Sequence, residues 1–122
     1  MRKLIRALAL ISCVAWGTAQ AGAIAGVGGF LCGKWLKERS APRDANGGGG
    51  AQEYILLSWS QGYLSGMSMG YSNGDPKKML AMPDGTALSS WLDEYCGEKP
   101  LNTLFEASSV LYYDMAKSQG KR

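Results

Sequence analysis

The chain of 122 residues carries 13 Lys and Arg against 10 Asp and Glu, a formal charge of +3 at pH 7, and it contains no histidine. The missing histidine excludes the usual base of a serine or cysteine triad, so we predict no catalytic residue and no enzymatic activity. The length suits one domain with a single modest core.

The first 21 residues have the pattern of a secretory signal peptide. A basic start leads into an apolar run and then a small-x-small cleavage site: Arg2, Lys3 and Arg6, the run 7–19, and Ala19 and Ala21. The run is too short for a membrane anchor, which needs ~20 apolar residues. We therefore predict cleavage after Ala21 and a periplasmic or secreted bacterial protein without an integral membrane span. Lipidation at Cys13, in "LISC" at residues 10–13, is the alternative.

Removal of this segment changes the charge. Three of the 13 basic residues lie in it, so residues 22–122 carry ten basic and ten acidic side chains and no net formal charge. No basic stripe with interleaved aromatic residues remains, and we predict no nucleic-acid partner.

Two cysteines, Cys32 and Cys96, remain after removal of the segment. Cysteines in a small exported chain normally pair, so we predict a disulfide between them. A metal site is the alternative, but the chain has no histidine and no C-x-x-C spacing. We predict no metal and no cofactor.

The part that follows the signal begins with two flexible stretches around a short helix. Residues 22–30, "GAIAGVGGF", are glycine-rich and predict a flexible N-terminus. Residues 31–39 predict a short helix with Cys32 and Trp35 on one face. Pro42 and the four glycines of residues 47–50 then predict a flexible linker.

Residues 52–72 predict the central helix of the bundle. An apolar ridge is expected on one side and serines on the other: Leu56, Trp59, Tyr63 and Met67 against Ser58, Gln61, Ser65, Ser68 and Ser72. Gly62, Gly66 and Gly70 lie beside the ridge, where missing side chains let another helix approach closely. Each glycine costs about 1 kcal/mol of helix propensity, which close packing of the glycines, Trp59 and Tyr63, or a kink, would offset.

Two more helices complete the predicted fold. One is capped by Asp84 or Thr86 and ends near Gly97, with Asp93, Glu94 and Glu98 toward solvent; the other runs from about Asn102 to Lys117. Residues 118–122 form a tail. Strand patterns are almost absent, so the predicted fold class is all-α: a small bundle of about four helices in residues 31–117, closed by one disulfide.

A candidate surface for a protein partner comes from the methionines. Met67, Met69, Met79 and Met82 cluster near the end of the central helix and in the loop after it. Exposed methionines adapt to varied protein surfaces, so we expect one contact patch here.

Three motifs together resemble a superfamily of small periplasmic helical proteins, which includes the Hde-type acid-stress chaperones and the immunity proteins that neutralise type VI secretion toxins. The motifs are "C-G-x-W-x-x-x-R", "W-x-x-G-Y-L-S-G" and "W-L-D-E-Y-C-x-x-x-P-x-x-x-L", with Cys32, Trp35, Arg39, Trp59, Gly62, Tyr63, Gly66, Trp91, Cys96, Pro100 and Leu104 at the matching positions. The resemblance implies a disulfide between the first and penultimate helices, often a homodimer, and no catalytic residue. It also implies binding of other proteins, as a chaperone-like or immunity-like protein; an envelope binding protein of another role is a third alternative.

Overall fold

The computed structural model of the protein describes residues 24, 26–43, 45 and 50–121. These residues form four α-helices and a short 3₁₀ helix, with one isolated β-bridge and no strand among them: the 3₁₀ helix Gly26–Gly29, α1 (Cys32–Arg39), α2 (Ala51–Tyr71), α3 (Gly85–Glu98) and α4 (Leu104–Ser118). The predicted all-α bundle of about four helices is confirmed. The predicted signal peptide, with Ala19, Ala21 and Cys13, lies outside the described residues.

The predicted disulfide is confirmed: Cys32 at the start of α1 is bonded to Cys96 near the end of α3. Both cysteines are fully buried, and their Cα atoms lie 4.9 Å apart. Closing a loop of 64 residues stabilises the fold by about 4 kcal/mol in the chain-entropy model. The backbone reinforces this junction, because the Cys32 N–H donates to the Asn102 carbonyl at 2.7 Å.

The helix ends follow their local sequence closely. The Asp84 side chain caps α3 by accepting from the Ala87 N–H at 2.8 Å. Thr103, not the predicted Asn102, caps α4, because it forms a capping box with Glu106 three residues later. The Asn102 amide instead donates to the Tyr95 hydroxyl at 2.9 Å.

The buried face of α2 agrees with the predicted one only in part: Leu56 is buried, and Trp59 and Met67 are partly buried against the core. Its buried residues are Glu53, Leu56, Ser60, Leu64 and Ser68, and Ser72 directly after the helix is buried as well. Ser68 and Ser72, predicted on the face opposite the apolar ridge, are both buried. A buried hydroxyl needs a partner, and Ser68 Oγ finds one by accepting from the Leu80 N–H at 2.8 Å. The serines among these residues have small side chains, which let α2 lie close to its neighbours.

The flexible N-terminus predicted for residues 22–30 is wrong over its second half. Gly26–Gly29 form a 3₁₀ helix in which Gly28 is buried against the indole of Trp59. A Cβ at position 28 would lie 2.1 Å from Cζ2 of Trp59, so only glycine fits this contact. Chain ends fray unless they are tied down, and here the Phe30 carbonyl also accepts from the Leu104 N–H at 2.8 Å.

Candidate functional site

The glycine row of α2 faces outward. Gly62, Gly66 and Gly70 are exposed, and a Cβ added to any of them would meet no described atom within 4 Å outside the backbone of its own helix. The predicted close contact of these glycines with another helix is therefore not made by the described part of the chain. The reason is geometric: Gly62 follows the buried Ser60 by two positions, a rotation of about 200° around the helix axis.

The three glycines form the floor of a shallow open groove with a volume of about 440 Å³. Tyr63, Met67 and Tyr71 border it. Tyr63 is held in place on three sides, because its ring stacks on Trp59 at 5.5 Å, meets Phe105 edge-on at 5.4 Å, and its hydroxyl shares a hydrogen bond of 2.8 Å with Ser109. The groove thus has a fixed aromatic border.

The exposed side of α2 is uncharged throughout. We define the outer face of α2 as six exposed residues that lie on one side of the helix: Ile55, Gly62, Ser65, Gly66, Met69 and Gly70. No Asp, Glu, Lys or Arg occurs from Tyr54 to Gly74. Helices that face only water normally place charged side chains on their exposed side, so an exposed side without charge is a candidate contact surface.

The four methionines of the predicted contact patch differ in exposure and in surroundings. Met67 and Met69 are two positions apart on α2 and point to different sides: Met67 is partly buried at the groove, whereas Met69 is 58% exposed. Met82 lines a separate apolar cavity of about 310 Å³ beside Trp91. Met79 is partly buried in the loop after α2. Helical rotation separates residues that are close in sequence.

A charged cluster joins the three helices α1, α2 and α3. Arg39 at the end of α1 donates Nη1 to Glu53 at 2.8 Å and forms a two-pronged pair with Asp93, with Nε–Oδ1 at 2.9 Å and Nη2–Oδ2 at 2.8 Å. The Trp35 indole N–H donates to Asp93 Oδ1 at 2.9 Å. Asp93, predicted to face solvent, is therefore a junction between α1 and α3.

Electrostatics favour the ionised forms in this cluster. Burial disfavours the Asp93 carboxylate, but the hydrogen bonds from Arg39 and Trp35 outweigh that cost, and the pKa of Asp93 lies below its ordinary value. The hydrogen bond to Asp93, followed by that to Glu53, raises the pKa of Arg39. Because the hydrogen bonds from Arg39 and Trp35 favour the charged form of Asp93, the Arg39–Asp93 pair holds α1 to α3 at neutral pH and weakens in acid.

Other kinds of site find little support in the described residues. Over residues 24, 26–43, 45 and 50–121, no group of three Cys, Asp or Glu side chains is arranged to hold a metal ion. None of the described helices combines the length and apolar character that a membrane crossing requires. Comparisons of the chain with protein-family models, with curated proteins and with solved structures found no match.

Sequence reasoning missed two features of these sites. It identified the glycine row but predicted contact with another helix where the described chain leaves open space. It also did not predict the contacts of Asp93 and Glu53 with Arg39. One signal was present for the first: Leu56, Ser60, Leu64 and Ser68 share a helical stripe that is as regular as the predicted ridge. For the second there was none, since Arg39 and Asp93 lie 54 positions apart and only the fold brings them together.

Proposed function

We propose that this chain is an exported, non-enzymatic protein that binds other proteins through the outer face of α2. One observation carries the proposal: a 21-residue helix exposes a full side that has no charge and three glycines with open space above them. Each glycine costs about 1 kcal/mol of helix propensity. Contacts within the described chain do not offset this cost, whereas a partner backbone lying on the groove would.

The chaperone-like role, which the sequence motifs imply, is supported by the Arg39 cluster. Protonation of Asp93 would remove the negative charge that pairs with Arg39 and links α1 to α3. The part of the chain beyond residue 21 carries ten acidic and ten basic side chains, so loss of negative charge in acid would leave it positively charged and would favour expansion of the chain. At neutral pH, a second copy of the chain would cover the outer face. In acid the two copies would separate, and the outer face would then bind other proteins that are unfolding.

Photo-crosslinking tests this proposal directly. A benzophenone amino acid replaces Met69 on the outer face and, as the matched control, the exposed Glu94 on α3. At pH 7 we expect position 69 to form an adduct of twice the chain mass. At about pH 3 we expect position 69 to crosslink to an acid-denatured model enzyme. Under the same conditions, the protein should suppress aggregation of that enzyme. No adduct from position 69 at either pH, or equal yields from position 94, would contradict the proposal.

An immunity-like role is the second candidate, and the groove's fixed border supports it. Tyr63 is held by Trp59, Phe105 and Ser109, and a preformed groove suits tight binding of one toxin at neutral pH because little ordering is needed. Co-purification with the product of the neighbouring gene tests this role. A substitution of Gly66 by Leu should abolish the complex if the toxin occupies the groove; a complex that survives it would place the toxin elsewhere.

A further inference from the structure

A second cavity, which shares Tyr71 with the groove on α2, lies where the loop after α2 meets the end of α4. Its volume is about 690 Å³, within the range of about 300–1,000 Å³ typical of small-molecule sites. Four lysines line it: Lys77 and Lys78 from the loop, and Lys117 and Lys121 from the end of α4 and the residues after it. We refer to it as the lysine cavity.

The walls of the lysine cavity are tied together by hydrogen bonds. The side chain of Gln119 accepts from the Ala81 N–H at 2.8 Å and donates to the Ala81 carbonyl at 3.1 Å. Lys121 Nζ donates to the Met79 carbonyl. Residues 119–121, predicted to be a tail, therefore fasten α4 to the loop and form one side of the cavity.

The charge of the lysine cavity is strongly one-sided. No Asp or Glu is among the described residues that line it. The nearest ion pair joins Lys78 to Asp75 at 3.8 Å, and the Lys78 side chain is 71% exposed, so water screens the pair and its neutralising effect is small. Lysines grouped in a concave surface raise the local concentration of anions.

The interior of the cavity is apolar and aromatic. Leu80 and Ala116 contribute aliphatic surface, and the rings of Tyr71 and Tyr112 stack at 5.5 Å. Burial raises the pKa of Tyr112, and the neighbouring Tyr71 hydroxyl raises the pKa of Tyr113. These phenols therefore stay protonated and can donate hydrogen bonds to an anion without repelling it.

We propose that the lysine cavity binds a single amphiphilic molecule that has an anionic head and an apolar tail, of the chemical class of a medium-chain carboxylate. The head would lie among the lysine ammonium groups, and the tail would lie on Leu80, Ala116 and the tyrosine rings. Charge complementarity selects an anion, and the apolar interior selects against small, fully hydrated anions such as acetate. The cavity is concave and therefore does not match the flat surface of a bilayer.

Calorimetric titration of the full chain with dodecanoate below its micelle concentration tests this site. We expect saturable binding of one molecule per chain, with dodecanol and acetate both binding much more weakly. The double variant Lys77→Gln/Lys117→Gln should weaken dodecanoate binding about tenfold, which corresponds to 1.4 kcal/mol. Lys37→Gln, at an exposed lysine of α1, is the matched control and should bind as the unmodified chain does.

Several results would overturn the proposal. The first is that dodecanoate shows no saturable binding. The second is that the double variant and the Lys37→Gln control bind dodecanoate equally well. The third and fourth are that dodecanol or acetate binds as tightly as dodecanoate. A fifth is binding to anionic vesicles without binding to monomeric dodecanoate, which would indicate a membrane surface. Amide chemical shifts of Leu80 and Ala116 locate any bound molecule, and shifts confined to the groove on α2 would also contradict the site.

Discussion

The hydroxyl of Ser108 on α4 donates a buried hydrogen bond of 3.1 Å to the hydroxyl of Ser60 on α2. Both side chains are fully buried. Because each is small, the two helices can lie close together there, and because each hydroxyl has the other as partner, the contact avoids the cost of a buried unpaired polar group. This pair occupies the position in the core that the glycine row was expected to hold.

Replacement of either serine should therefore show coupling. We expect Ser60→Ala and Ser108→Ala each to lower the free energy of unfolding by about 1 kcal/mol, since each leaves the other hydroxyl buried without a partner. The double variant should lose less than the sum of the two. Urea unfolding of all four proteins measures this, and strictly additive losses would show that the pair is not coupled.

Alanine substitution in the glycine row should stabilise the isolated chain. Gly66→Ala adds a Cβ into open space and should raise the free energy of unfolding by about 0.5–1 kcal/mol. The same change should reduce crosslinking from position 69, because the added methyl group obstructs an approaching backbone.

Gly97→Ala on α3 is the matched control for that experiment. Gly97 is also an exposed helical glycine with nothing within 4 Å of an added Cβ, so it should stabilise the chain without changing crosslinking. A loss of stability in Gly66→Ala, or unchanged crosslinking in it, would count against the outer face as a binding surface.

The contact between the 3₁₀ helix and α2 should tolerate no side chain at position 28. Gly28→Ala places a methyl group 2.1 Å from the Trp59 ring, and we expect overpacking to cost about 1–3 kcal/mol of unfolding free energy. Gly29→Ala, whose Cβ would have its nearest contact at 3.8 Å, should have little effect. Thermal unfolding followed by tryptophan fluorescence distinguishes them, and equal melting temperatures would refute the placement of the 3₁₀ helix.

Stability should fall in acid through the Arg39 cluster. The pKa of Asp93 is lowered in the folded protein, so its contribution is fully present above the ordinary carboxyl pKa and is lost as the pH falls through the lowered value. Asp93→Asn should cost about 1–2 kcal/mol at pH 7, a charged hydrogen bond reduced for solvent screening. Asp93→Asn should also make the free energy of unfolding fall less steeply as the pH decreases.

Glu94→Gln, at the exposed neighbouring residue, is the control for Asp93→Asn. It should leave both the stability at pH 7 and the shape of the pH dependence close to those of the unmodified chain. If Asp93→Asn retained the full acid dependence, the stabilising role of the Arg39–Asp93 pair would be excluded.

Export and disulfide formation can be tested in one measurement. The intact mass of the protein recovered from the cell envelope should correspond to residues 22–122 less two hydrogens. Reduction should cost about 4 kcal/mol of unfolding free energy. A mass with an added lipid would support processing at Cys13, and two free thiols in the recovered protein would contradict an oxidising destination.

The sequence by itself determined the all-α class, the approximate bounds of the four helices and the pairing of Cys32 with Cys96. Helical periodicity, caps and breakers act over a few residues, so they can be read directly from the chain. The caps were accurate to one residue: Thr103 rather than Asn102 begins α4 because only Thr103 has Glu106 at the capping-box spacing.

Only the tertiary structure decided which side of α2 is buried. Apolar and small residues occur on both sides of this helix, so its own periodicity does not distinguish the ridge that includes Trp59 from the stripe that includes Ser60. The choice depends on what α4 and the 3₁₀ helix present to it: Ser108 pairs with Ser60, and Gly28 receives Trp59. The Arg39–Asp93 pair and the lysine cavity likewise require residues that are distant in sequence, and long-range proximity is a property of the fold that no local pattern records.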